Sequence, residues 1–281
     1  MKLVRFGEKG REKPGLVDDN GQIRDLSALI PDLAGEWLSP SSLATIAAQD
    51  IASLPLVLEG VRLGSCVAQP GNFIAVGLNF ADHAKETGNP IPQEPMLFNK
   101  APNCICGPHD DVPMPRGSRK MDWEVELAFV IGTRAHYVEE KDALSHVAGY
   151  FICNDVSERY FQMERTGQWI KGKSQENFGP LGPWLVTPDE LGATDALSMW
   201  LEVNGERVQN GSTATMIFRI PYLIHYISQF MALDPGDVIT TGTPPGVGLG
   251  HHPPRFLKAG DVMRLGVDGL GVQQQTVTPA A

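Results

Sequence analysis

Short apolar runs alternate with turn residues along the whole chain, and the clearest run is MDWEVELAFVIG at residues 121–132. Side chains at i and i+2 of a strand share a face. Val125, Leu127, Phe129 and Ile131 therefore line one side, and Glu124, Glu126, Ala128 and Val130 the other. Apolar residues on both faces predict a strand buried on both sides. Near the start, LVRFG and PGLVDD predict two short strands, with a hairpin turn at Asp19-Asn20-Gly21 before QIRDLS. A leucine- and alanine-rich stretch follows, its cap expected at Pro40 to Ser42. From Gln69 the pattern changes. FIAVGLNF predicts a strand running into a loop, FADHAKE a short helix capped by Asn79, and GNPIPQEP a mobile connection. GYFICNDVSERYFQMER reads as strand into helix, LEVNGERV as a hairpin on Asn204-Gly205, and IPYLIHYISQFMAL as a mostly buried helix. DVITTG reads as a strand opening into TPPGVGLG, and MRLGVDGLGVQQQTV as strand around an Asp-Gly turn. Strands outnumber helices and join mostly through hairpins, so the expected class is mixed α+β with a large β core. Two parts are expected: a small domain over residues 1–65 and a larger one over 66–281.

Composition narrows the function classes. With 281 residues the chain is long enough to bury a sizeable core. No apolar run approaches the roughly 20 residues that span a bilayer, so no membrane partner is expected. The opening MKLVRFGEKGREKPG lacks the apolar core of a signal peptide, which points to the cytoplasm. A net charge of −10 argues against nucleic acid as a partner. It also requires a local positive site for any anionic substrate. Cys66, Cys104, Cys106 and Cys153 fit a reducing compartment. Cys104-x-Cys106 lacks a second pair at zinc-like spacing, so structural thiols are expected.

The candidate chemistry starts from Glu124 and Glu126. Two ionised carboxylates side by side in apolar surroundings repel each other and lose hydration, at a cost of several kcal/mol. A divalent cation removes that cost, and all-oxygen ligation suits Mg²⁺ first, with Mn²⁺ or Ca²⁺ as alternatives. Glu-x-Glu is also the ordinary pattern of a solvated strand face. A third acid, Asp155, ends the apolar run YFICNDV where a strand opens into a loop, and three carboxylates leave coordination positions for water or substrate. His83 and Glu86 are three apart on the short helix and share a face; the carboxylate would orient the imidazole as a base. A surface His–Glu pair fits the same spacing. Arg159 and Gln162 follow Asp155 on one face of a helix beginning at the metal, Lys173 falls in a loop, and Lys100 closes MLFNK. Alone each reads as a solvated polar group; together they surround the metal with cations suited to a carboxylate or developing oxyanion. TGTPPGVGLG lacks a phosphate-loop ending, but Thr240, Thr241 and Thr243 offer hydroxyls and N–H groups to a substrate carboxylate. His251-His252 reads as exposed loop.

GLNFADHAKE, MDWEVELAFVIG, FICNDVSERYFQ, KGKSQENFGPLGPWL and VITTGTPPGVG occur in the order found in the fumarylacetoacetate hydrolase family, and the chain resembles that family over roughly residues 70 to 275. The resemblance implies a mixed β-sandwich roll, a homodimer or dimer of dimers, and Mg²⁺ or a similar ion in each subunit. It assigns Glu124, Glu126 and Asp155 to the metal and makes His83 with Glu86 a water-activating dyad on a lid. It puts Arg159, Gln162 and Lys173 at the substrate, Thr243 at its carboxylate, and Lys100 more weakly beside them. The implied reaction is hydrolytic cleavage of the C3–C4 bond of a small anionic 2,4-diketo acid. Members also decarboxylate oxaloacetate, tautomerise keto acids or isomerise hydroxymuconate-type diacids, and a catalytically idle ligand-binding member is a further alternative. The opening segment and KGKSQENFGPLGPWL are similar to bacterial members of deoxy-sugar acid degradation, implying 2,4-diketo-3-deoxy-L-rhamnonate or -fuconate, cleaved to pyruvate and lactate.

Overall fold

Two β-sheets face each other across one apolar core in the computed structural model, which describes residues 1–280. The larger sheet has ten strands. Val125–Ile131 lies inside it, antiparallel to Val147–Asn154 on one side and Val238–Thr240 on the other. Every residue of Val125–Ile131 is buried, as its two apolar faces require. Phe73–Gly77 and Met96–Lys100 extend the sheet beyond Val238–Thr240. On the opposite side, Val147–Asn154 pairs with Gly179–Val186. The smaller, five-stranded sheet is built from two hairpins and a short edge strand, in the order Glu206–Ser212, Ser198–Val203, Val262–Val267, Gly271–Thr278 and Val112–Pro113. The turns at Asn204-Gly205 and Asp268-Gly269 form as their sequences predict, with Asn204, Gly205 and Gly269 all at positive φ. This is the expected α+β class, with a sandwich of mixed sheets and few helices.

The N-terminal strands join the main sheet. Lys2–Phe6 pairs antiparallel with Gly179–Val186, in the register Leu3↔Leu185, and carries Lys13–Val17 and Ile23–Asp25 outward as the sheet's edge. The leading 65 residues therefore share hydrogen bonds with the rest of the chain. A second tie is the Arg62 guanidinium. It grips Asp110 through two bonds of 2.7 and 2.6 Å and reaches Glu12 at 2.9 Å. Burial acts to raise both carboxyls, but the bonds from Arg62 and the neighbouring N–H groups outweigh it, so Asp110 and Glu12 sit below their usual range. Groups depressed in this way stabilise the fold fully above their unfolded pKa, about 4, and lose that contribution as pH falls through the lower folded value. Thermal denaturation of wild type and Asp110→Asn is expected to show a Tm gap at neutral pH that closes as the pH drops below about 4. A gap independent of pH would remove the ion pair as its source.

Some local expectations change. The Pro40–Ala47 helix is capped by Ser39, whose hydroxyl accepts from the Ser42 N–H at 3.3 Å, with Pro40 at the first helical position. Asn79 does not cap Ala81–Glu86. Its side chain instead donates to the carbonyls of Phe218 and Thr241 and accepts from the Phe218 N–H, tying three loops together. The IPYLIHYISQFMAL helix is shorter and half-buried: Ile220–Ser228 packs Leu223, Ile224 and Ile227 inward. Tyr222 stacks on Tyr226, which meets Phe230 edge to face. All four cysteines are free and buried, and burial pushes their thiols up. Among the described residues, no helix is long and apolar enough to cross a membrane.

Candidate active site

Register brings the three acids together. Cys153 stands opposite Glu126 and Asn154 opposite Val125, so the next residue, Asp155, falls beside Glu124 and donates its N–H to the Glu124 carbonyl at 2.9 Å. Glu124, Glu126 and Asp155 each offer a ligand atom, and these lie within 4.8 Å of one another. All three side chains are buried.

Cations surround two of the three. Lys173 Nζ bridges Glu124 Oε2 and Asp155 Oδ2, at 2.6 Å each. Lys100 Nζ donates to Asp155 Oδ1 at 2.6 Å and to the Lys173 carbonyl. Arg159 spans Asp122 Oδ2 at 2.8 Å and Glu124 Oε1 at 2.6 Å. Burial alone would raise Glu124, but the charges and bonds of Arg159 and Lys173 hold it well below the usual carboxylate range. Glu126 is different. Its Oε2 accepts from the Thr240 hydroxyl and from the Gly242 N–H at 2.8 Å, while Oε1 receives no hydrogen bond among the described residues. Burial and the charges of Asp155 and Glu124 push its carboxyl well above the usual range. Counting Asp122, four carboxylates meet three cations, one positive charge short. The donor set fits a hard divalent ion: Glu124, Glu126 and Asp155 would hold it, and its charge would offset the repulsion among them.

Short helices place the flanking groups. Lys173 ends the helix Ile170–Lys173 rather than sitting in a loop. Gly172 makes that possible, because a Cβ there would lie 2.5 Å from the Glu158 carbonyl and 2.5 Å from the Gln162 nitrogen. The helix of Arg159 and Gln162 begins at Arg159 rather than at Asp155, after Ser157–Glu158 pairs with Met121–Asp122. Gln162 Oε1 accepts from Arg159 Nη1 at 3.1 Å, which turns its NH₂ end toward the cavity.

The dyad forms. His83 Nδ1 lies 2.9 Å from Glu86 Oε2, and Glu86 Oε1 accepts the Gly246 N–H at 2.8 Å. Burial would raise Glu86, but the His83 bond, the Gly246 N–H and the charges of His83 and His251 bring it below its usual range. An ionised Glu86 accepts a hydrogen bond from Nδ1–H, so in the neutral ring Nε2 keeps its lone pair. The fit is close: a Cβ on Gly250 would lie 2.7 Å from the Glu86 carboxyl carbon. The expected lid helix is thus docked on the 246–250 loop.

The triad, the dyad, Arg159, Gln162 and Lys173 line one cavity of about 450 Å³, while Lys100, Asp122 and Thr240 are not part of its lining. Lys100 stands behind Asp155, so its expected place beside the substrate becomes one of positioning a carboxylate. Thr243 lines the cavity, but its hydroxyl donates to the Val125 carbonyl at 2.8 Å and accepts from Gln209 at 2.9 Å. The Thr240 hydroxyl serves Glu126 and that of Thr241 the Leu127 carbonyl. Three participants escaped the sequence reading. Asp122 anchors Arg159 and accepts the N–H groups of Gly248 and Leu249, and it shares the i, i+2 parity of Glu124 and Glu126 that would have revealed it. Trp169 and His252 also line the cavity, and no local signal marked either.

A sheet-borne triad of carboxylates ringed by cations thus shares one cavity with a His–Glu dyad, the kind of constellation found in enzyme active sites. The chain belongs to the fumarylacetoacetate hydrolase family: the model described as "Fumarylacetoacetate (FAA) hydrolase C-terminal" matches residues 72–278. A relative from Burkholderia ambifaria, provisionally named a hydrolase, is 57% identical over 281 residues and covers all of both chains. The structure resembles fumarylacetoacetate hydrolase from Exiguobacterium antarcticum, at 35% identity, TM-score 0.86 and 99% coverage of each chain. It also resembles 5-carboxymethyl-2-hydroxymuconate delta-isomerase from Mycobacterium smegmatis, at 30% identity, TM-score 0.78 and 100% coverage of each chain. Maleylpyruvate hydrolase from Sphingobium sp. SYK-6 matches at 28% identity, TM-score 0.82 and 100% coverage of each chain.

Proposed function

We propose that the protein is a metal-dependent hydrolase that cleaves the C3–C4 bond of a 2,4-diketo acid, releasing pyruvate and a carboxylic acid. The observation that carries this reading is the pairing of a water-activating dyad with a carboxylate triad in one cavity. Hydrolysis needs a base for the attacking water, which the His83–Glu86 pair can supply, whereas decarboxylation needs none. Glu124, Glu126 and Asp155 would hold the ion, Mg²⁺ in the first instance, which supplies Lewis-acid chelation of the substrate's carboxylate and adjacent keto oxygen. His83 Nε2 takes a proton from water as the oxygen attacks C4, and Glu86 stabilises the imidazolium through Nδ1–H. Lys173 has spent two of its three N–H donors on Glu124 and Asp155, and the third is available to the oxyanion growing at C4. The Gln162 NH₂ offers a second donor. As the C3–C4 bond breaks, its electron pair stays on the pyruvate fragment, and His83 returns its proton there. A homodimer is part of this reading.

The test is pyruvate release from acetylpyruvate, aroylpyruvates, 2,4-diketo-3-deoxy sugar acids and oxaloacetate, with and without EDTA. EDTA-sensitive pyruvate from the diketo acids is expected. Pyruvate from oxaloacetate alone would replace the reading with decarboxylation, and none from any of them would remove hydrolysis.

A further inference from the structure

The cavity has two chemically different ends. Its floor is the carboxylate cluster, where every charged residue is at most 6% exposed. Beyond it the lining turns apolar: Phe98 begins beside the Lys173 ammonium, its ring centroid 5.1 Å from Nζ, and Trp169, Val247, Leu249, Met96 and Met163 complete the wall. Met96 and Met163 are 42% and 55% exposed, which places them at the mouth. Soluble proteins seldom leave large apolar side chains around an open cavity unless a ligand covers them. The aromatic part of this wall is built into the fold. The Phe98 and Trp169 rings meet edge to face with centroids 5.1 Å apart. Trp169 fits only because residue 77 is glycine, since a Cβ there would lie 2.8 Å from its ring.

The charges at the mouth matter as much. The cationic side chains lining the cavity are Arg159 and Lys173, and both are held at the floor by Asp122, Glu124 and Asp155, away from the mouth. The polar groups nearer the opening are neutral or titratable: Thr87, Asn89 and His252. The Thr87 hydroxyl donates to the His83 carbonyl and accepts from Asn89, so little of it is left for a ligand. A second carboxylate on the substrate would meet no fixed positive charge among the described lining residues. A hydroxylated chain would lose its water against methionine and indole.

Resting on the reading of the cavity as an acylpyruvate site, we infer that the group beyond C4 is uncharged and apolar, an aryl or extended alkyl acyl chain held by Trp169, Phe98, Met96 and Met163. Substrates with a distal carboxylate, and short hydroxylated acyl groups such as the lactoyl of a deoxy-sugar acid, are disfavoured. A cavity of about 450 Å³ also suits a larger ligand than a six-carbon acid.

The test separates binding from turnover by using 2-oxo acids that lack the 4-keto group and are not cleaved. Affinities of pyruvate, 2-oxoglutarate and 2-oxo-4-phenylbutanoate are measured by calorimetry on the Mg²⁺-loaded protein. The phenyl compound is expected to bind at least about tenfold more tightly than 2-oxoglutarate. Trp169→Ala should erase most of that advantage while leaving pyruvate affinity near wild type. Met163→Arg, at an exposed position, should raise 2-oxoglutarate affinity several-fold and lower that of the phenyl compound. Equal or tighter binding of 2-oxoglutarate by wild type overturns the inference. So does a phenyl advantage that survives in both variants. If the preference holds but no acylpyruvate yields pyruvate, the hydrolase reading fails and the subsite stands. If pyruvate is released from acylpyruvates but 2-oxoglutarate binds best, the subsite fails and the hydrolase reading stands. No binding of any of the three overturns both.

Discussion

Glu126→Gln is expected to abolish divalent-ion binding and turnover while leaving the metal-free protein slightly more stable than wild type. Both effects come from one feature. Glu126 lies buried near both Asp155 and Glu124, with no ion pair of its own among the described residues. Its charge opposes folding, because the unfolded chain ionises it freely and the folded chain does not. Glutamine retains an oxygen for the Thr240 hydroxyl and the Gly242 N–H and removes the repulsion. The Tm in EDTA is expected to rise by about 2–4 °C, the size of effect that roughly 1 kcal/mol produces in a chain of this length. The same substitution takes away a charged ligand, so titration with Mg²⁺, followed by calorimetry or by the metal-induced rise in Tm, should show no binding. Retained metal and activity would remove the triad as the metal centre. A lower metal-free Tm would show that the buried charge is not a burden.

His83→Ala is expected to lower kcat by about 10²–10⁴-fold, the range for removing a positioned general base. Metal affinity should stay unchanged, since His83 touches none of the three carboxylates. Glu86→Gln should give a smaller loss, because the neutral amide no longer favours the imidazolium yet still fills the space against Gly250. The check is single-turnover kinetics at saturating substrate alongside metal titration. A variant that turns over like wild type would leave water activation without its base, and one that loses the metal would mean the dyad is structural.

The sequence carried much of this site and less of the fold around it. Glu124, Glu126 and Asp155 were legible because strand parity and a strand end are local signals. His83 and Glu86 were legible because three residues make a helical face. Lys173 looked like loop because Gly172 lowers helix propensity; the helix exists through close packing on the neighbouring turn, which one segment of sequence does not contain. Asn79 looked like a cap, but partners 139 and 162 residues away outcompeted the local amide. The pairing of Leu3 with Leu185 was hidden for the same reason, since register between distant strands is set by the completed sheet. Nor does any stretch of chain contain the wall that Phe98 and Trp169 make together.

The triad and the dyad rest on supports of unequal strength. Two of the three carboxylates flank or belong to a strand paired on both sides within the large sheet, while the dyad rides a six-residue helix whose active pose depends on the Glu86 bond to the Gly246 amide. Openings of a folded chain start where few contacts resist them. Under gentle heat or low denaturant the two halves of the centre therefore part company in a fixed order. The base is expected to swing away first, so that catalysis fails while the carboxylate cluster still keeps its geometry.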